Sequence, residues 1–195
     1  MAASTVIARA FSIIGHPVVL TPVAAVLAAI SQGAPAWQVH RIALLFAGLA
    51  AIVMSYSWLQ VMRGRWTHVD ASVRTERRGL NIFLVSVLLG GALLAALYDR
   101  RQIAIALALS ATVVLVGMLG ARLLKISLHV AFAAFSTALV WPHGYWVVAG
   151  IIVTAAVAWS RFTLARHSVS EIAAGLVLGS IAGAAFHPLA LVATS

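Results

Sequence analysis

Along this chain apolar residues gather into seven long stretches, near positions 11–31, 42–62, 81–98, 103–124, 127–141, 145–159 and 171–193, parted by short polar connections. Roughly 20 apolar residues in helical conformation cross the hydrocarbon core of a bilayer, so stretches of this length predict membrane-spanning helices. The fifth and sixth are shorter, near 15 residues each, and predict tilted or half-buried segments. Gly15, Pro17 and Pro22 interrupt the first stretch, which a helix in lipid tolerates where neighbours satisfy the freed backbone groups. Gly90-Gly91 and the scattered alanines suit close helix packing. The expected fold is all-α: a polytopic transmembrane helix bundle of about six to seven spans, forming one domain over 1–195.

The connections carry the next layer of information. Residues 32–41 read as a turn holding an interfacial Trp37, and 63–80 as the longest polar loop. Asp99-Arg100-Arg101-Gln102 and the segment from Trp141 to Trp146 read as tight turns, with Arg100 and Arg101 as headgroup anchors. Pairs of spans separate the 63–80 loop, the segment from Lys125 to His129 and the segment from Ser160 to Glu171. All three are therefore expected on one membrane face, that of the N-terminus, where they can converge on one pocket. His40, His143 and His187 fall on the opposite face and are assigned no chemistry.

Composition and charge sharpen this picture. The 195 residues are 63% hydrophobic and only 9% charged, with mean hydropathy +1.06, which excludes a water-soluble domain and leaves no polar stretch for a second one. Lys and Arg number 13 against 4 acids, a formal charge of +9. In a soluble protein that balance would suggest nucleic acid. Here the bases sit between apolar spans, so membrane lipids, with a lipid phosphate among them, are the expected partners and nucleic acid is not. Cysteine is absent, which excludes disulfides, thiol catalysis and Cys-ligated zinc. The stretch Met1-Ala-Ala-Ser-Thr-Val-Ile-Ala-Arg9 has no basic region ahead of a short apolar core and does not read as a cleavable signal. The positive-inside rule puts the basic face in the cytoplasm, although catalysis is a second explanation for several of those charges.

Polar residues with chemical potential are few. In Ser160-Arg161-Phe-Thr-Leu-Ala-Arg166-His167-Ser-Val-Ser-Glu171, a histidine and a glutamate four apart share one face if the segment is helical. The carboxylate can then hold one ring nitrogen and leave the other to attack, while Arg161 offers a planar charge to a phosphate. The bland alternative is a loop with solvated bases and a glutamate favoured by the helix dipole. In Lys125-Ile126-Ser127-Leu128-His129, Ser127 is expected to cap the following helix, leaving amides that face a bound anion, with His129 at the pocket edge. His16 is expected to pack or to bond a backbone carbonyl, and His68 and Asp70 to structure their loop.

Ser-Arg, five residues, His, three residues and an acid is similar to the third signature of the type 2 phosphatidic acid phosphatase superfamily. That superfamily includes membrane lipid phosphatases, soluble acid phosphatases and vanadium haloperoxidases. Its second signature, Pro-Ser-Gly-His, is met here by Ser127 and His129 only. Its first, Lys, six residues, Arg-Pro, is not met literally, since the 63–80 loop has no lysine. Arg74-Thr75-Glu76-Arg77-Arg78 resembles instead the Arg-x-Glu-Arg form of a less studied membrane branch, which also carries Lys-Ile-Ser-x-His and an early His-Pro, as His16-Pro17 here. The resemblance runs from residue 16 to 171. Leu128 replaces the signature glycine and crowds backbone approach to a phosphate, and Glu171 stands where Asp is usual.

The resemblance implies a mechanism. Arg161, Arg74, Lys125 and either Arg77 or Arg78 would neutralise phosphoryl oxygens, helped by amides near Ser127 and Ser160. His167 would attack phosphorus, Glu171 would stabilise the imidazolium, and His129 would protonate the leaving alkoxide and then activate water. No metal and no cofactor is called for. The expected activity is hydrolysis of a phosphate or diphosphate on a polyisoprenyl or glycerolipid, in a bacterial inner membrane. Phosphotransfer to a second lipid, and a non-enzymatic anion or headgroup carrier, are the alternatives. Many members of the superfamily act on the outer face, against the direction of the charge rule.

Overall fold

The computed structural model of the chain describes residues 3–68, 71 and 73–192 and, of Ala3 and Arg74, the backbone alone. Asp70 lies outside the described residues. Among the described residues eight helices follow in order: α1 (Ala3–Ile14), α2 (Pro17–Ser31), α3 (Ala36–Met62), α4 (Arg74–Leu97), α5 (Arg101–Gly120), α6 (Leu128–Leu139), α7 (Gly144–Thr163) and α8 (Val169–Val192). Five of these are long and apolar enough to cross a membrane, and α1 with α2 makes a sixth if the bent pair is one span. The all-helical fold is as expected, and each of the seven apolar stretches contains a helix. Large apolar side chains such as Leu44, Leu97, Ile181 and Leu191 stand exposed on the outside, as they would against lipid.

Four boundaries differ from the sequence reading, each for a local reason. The first stretch is two helices meeting at 56°. Pro17 has no amide hydrogen to donate and keeps His16 extended (φ −67°, ψ 137°), so one helix ends and another starts. Next, α3 begins at Ala36, with the Gln38 and Val39 amides on the Pro35 carbonyl, and the preceding turn shrinks to 32–35. The third difference is in the basic loop, whose second half is helical. Buried Glu76 accepts from the amides of Thr67 (2.9 Å) and Val73 (3.4 Å), closing the loop onto the first turn of α4. Lastly, the sixth stretch belongs to a helix of 20 residues, whereas the fifth is only 12 residues, Leu128–Leu139. Twelve residues span about 18 Å, short of the ~30 Å hydrocarbon core, so α6 does not cross alone and seven spans become six at most.

Short as it is, α6 is the centre of the bundle. Eight of its residues, from Val130 to Ser136 with Leu139, are buried, and α2, α5, α7 and α8 all pack on it. It runs parallel to α8. The Ser127 amide meets the Glu171 carbonyl at 3.1 Å at one end, and the Ala138 carbonyl meets His187 Nε2 at 2.8 Å towards the other. Close approach of α6 and α8 depends on Gly175, Gly179 and Gly183, one small residue per turn. A Cβ on Gly175 would stand 2.6 Å from the Ser127 carbonyl oxygen, and one on Gly179 would overlap the carbonyl of Ala131.

Candidate active site

The chain leaves α7 through a tight reversal. Arg166 N donates to Arg161 O (3.0 Å) and Ala165 N to Phe162 O (2.9 Å), with Ala165 left-handed at φ 49°. This is the glycine-type helix ending made with an alanine, and it turns the chain back towards the bundle. His167 N reaches the Arg161 carbonyl as well (3.3 Å). The next helix then starts on a reciprocal cap: Glu171 Oε2 accepts from Ser168 N (3.1 Å), and Ser168 Oγ accepts from Glu171 N (3.3 Å).

The same Glu171 oxygen lies 2.9 Å from His167 Nδ1. The expected pair is therefore present, but not as two residues on one helix face. His167 precedes α8 and is brought to Glu171 by the cap. The two side chains are 9% and 19% exposed, so the contact is shielded from water. Holding Nδ1 as a donor to the carboxylate leaves Nε2 with its lone pair free.

Around this pair stand the N-terminus of α6, the end of α7 and the α1/α2 break. Ser127 precedes α6 and is wholly buried, but it makes no side-chain cap, contrary to expectation. Its amide is bound to Glu171, and its hydroxyl is buried without a partner among the described residues. His129 lies in the first turn of α6, within the electrostatic reach of Arg161, His167 and His16. Arg161 Nη1 donates to Ser12 Oγ on α1 at 2.7 Å, while its Nε is buried without a partner among the described residues. Lys125 Nζ bonds the Arg166 carbonyl at 3.2 Å, and its charge acts on His167. Two unused polar atoms beside unmatched cations describe a place for an anion.

Of the arginines opening α4, Arg77 acts on Arg161 through its charge and is half-buried. Arg78 is exposed. Of the two, Arg77 is the one whose charge reaches Arg161. Arg74 starts the helix, and its side chain lies outside the described residues. Ser160 departs from expectation: it is buried inside α7, and its hydroxyl donates to the Val157 carbonyl at 2.8 Å. Neither its hydroxyl nor its helical amide is offered to an anion.

Of the two expectations for His16, packing is the one met: its ring meets the His129 ring edge to face at 5.0 Å. Its Nδ1 accepts from Val18 N at 3.2 Å, and among the described residues it bonds no carbonyl. The signal that could have found it was His-Pro itself, since Pro17 forces a helix start and puts His16 at the cap. His68 is exposed in the basic loop, with its carbonyl accepting from Ala71 N. His40 and His187 bond carbonyls of Ala36 and Ala138, away from this cluster.

His167 is held below its ordinary pKa. Burial is the main cause, opposed by the Glu171 hydrogen bond and charge and reinforced by Arg161 and Lys125. A neutral imidazole is the nucleophilic form, and lowering the pKa extends that form below the ordinary value of about 6.5. The acid limb of any His167-dependent rate is therefore expected below pH 6.5. Glu171→Gln removes the charge that raises the pKa and weakens the hydrogen bond, since an amide oxygen accepts from Nδ1 less strongly than a carboxylate. The limb should then move further down while the plateau rate falls, a combination that a pH–rate profile of the two proteins reads directly. A limb that moved up would contradict this placement of Glu171.

The fold and this cluster define an integral-membrane helix bundle with a group of cationic and imidazole side chains at one end of it. No known protein family, curated protein or solved structure matches the chain.

Proposed function

We propose that the protein is a membrane phosphatase that removes a phosphate or diphosphate from a lipid, of the kind found in the type 2 phosphatidic acid phosphatase superfamily. The observation that carries this reading is the His167–Glu171 pair at 2.9 Å beside the cations and the second imidazole, His129. A nucleophile held by a carboxylate, with cations around the phosphoryl oxygens and a separate proton donor, is what a two-step phosphoryl transfer requires.

In the first step His167 Nε2 attacks phosphorus in line with the lipid oxygen, the P–O bond breaks and His129 protonates the departing alkoxide. In the second, His129 takes a proton from water, the hydroxide attacks the phosphohistidine, and the P–N bond breaks to release phosphate. Arg161, Arg77 and Lys125 balance the oxygens' charge throughout, and Glu171 stabilises the imidazolium of His167. The Ser127 hydroxyl supplies a donor that needs no reorganisation. A polyisoprenyl or acyl tail suits the substrate, because the cluster belongs to helices whose outer faces are apolar. Read with the positive-inside rule, the basic residues at this end favour the cytoplasmic side of a bacterial inner membrane for the site.

Purified protein in detergent, given a panel of polyisoprenyl phosphates and diphosphates and phosphatidate-like lipids, should release inorganic phosphate from at least one class. Folded protein that releases none from the whole panel would remove the proposal.

A further inference from the structure

The mechanism above leaves one imidazole of the cluster unused. His16 stands between α1 and α2, with Nδ1 accepting from the Val18 amide at 3.2 Å. An amide N–H can only donate, so Nδ1 is unprotonated and the hydrogen of the neutral ring sits on Nε2. Among the described residues Nε2 has no hydrogen-bond partner. The ring lies 5.0 Å from that of His129, edge to face. The preceding turn holds Ser12, which accepts from Arg161 at 2.7 Å. Both sides of the break thus meet the same cluster, one through Arg161 and one through His129. Among the described residues no three His, Asp or Glu side chains gather closely enough to hold a metal ion, so the imidazoles are not arranged as a metal cage.

We infer that His16 is a third imidazole of the site, donating its Nε2 hydrogen to an oxygen of the phosphate bound between Arg161 and His129. This rests on the phosphate-site reading above. The α1/α2 break then has a purpose beyond its proline. Capping by His16 fixes the tautomer, and the cap position turns the free edge of the ring to the ligand. As a neutral donor, His16 binds a phosphoryl oxygen without adding another charge to a site already rich in cations.

Two substitutions separate this role from that of a simple cap. Asparagine is among the best N-cap residues and its short amide stands in for Nδ1, so His16→Asn keeps the bond to Val18 and loses the donor at Nε2. His16→Gln reaches to where Nε2 stood and keeps a donor there. The measurements are thermal unfolding in detergent, inorganic phosphate affinity by calorimetry, and kcat/KM for phosphate release from the best lipid of the panel. His16→Asn should unfold as the wild type does while losing about 10- to 100-fold in phosphate affinity and kcat/KM, the scale of one hydrogen bond to a charged group. His16→Gln should recover part of that loss. Wild-type affinity and turnover in His16→Asn would reduce His16 to a cap and overturn the inference. If the wild type binds phosphate but hydrolyses no lipid, the phosphatase reading fails, and the affinity comparison alone decides for His16. If the wild type hydrolyses lipid but binds no free phosphate, kcat/KM alone decides for His16; if it does neither, both fall.

Discussion

His167→Ala is expected to abolish phosphoenzyme formation and turnover together, a loss on the order of 10⁴–10⁶-fold, the scale seen when a paired nucleophile or base is removed. His167 and Glu171 are joined at 2.9 Å and sit in a part of the chain set by backbone bonds, namely the reversal after α7 and the cap of α8. The substitution leaves those bonds in place, so the fold should persist. His129→Ala should behave differently. It removes the proton donor and costs about 10²–10⁴-fold on a lipid alkoxide. With an aryl phosphate, whose leaving group needs no proton, the first step should recover much of its rate. Acid-quenched labelling with a phosphate-labelled substrate separates the two. Wild-type trapping of label in His167→Ala would show that another residue is the nucleophile. A carrier predicts no label in any variant and an affinity that follows positive charge alone.

The second large effect is structural and lies about two turns further along α8. Gly179→Leu should prevent α6 and α8 from packing. A Cβ at this position already overlaps the backbone carbonyl of Ala131, and a carbonyl cannot swing aside as a side-chain tip can. The cost should exceed ~3 kcal/mol, the upper end of ordinary overpacking. Moving α6 also pulls the Ser127 amide from the Glu171 carbonyl, so residual folded protein should lose activity. Gly90→Ala is the control. A Cβ there meets nothing within 4 Å, and removing a helical glycine is worth roughly 0.5–1 kcal/mol in favour of folding. Thermal unfolding of both variants in detergent makes the comparison. A wild-type midpoint for Gly179→Leu would mean that the helices do not approach as described.

Much of this architecture was legible because the bilayer imposes it. A chain that buries long apolar runs in hydrocarbon must fold them as helices, so the stretches near 42–62, 81–98, 103–124 and 171–193 declared α3, α4, α5 and α8. Alternation of faces then gathered the polar segments, and the residues most telling in sequence, His129, Arg161, His167 and Glu171, do lie together. What sequence could not convey is how the helices face one another. In a soluble helix the apolar stripe marks the buried side, but here both lipid and core are apolar, and the stripe carries little information. That is why the central place of α6 was not visible, and why Gly175 and Gly179 did not stand out from the other small residues. The remaining differences concern hydrogen bonds with more than one possible partner. Ser160 turned to its own helix, Ser127 gave up its cap, and Glu171 met His167 through a cap and not along a helix face. Sequence by itself determined the class of fold, because transfer into lipid depends on composition and length. Tertiary structure alone decided which donors and acceptors remain free, and so brought His16 to His129, because that choice depends on which backbones come close enough to compete.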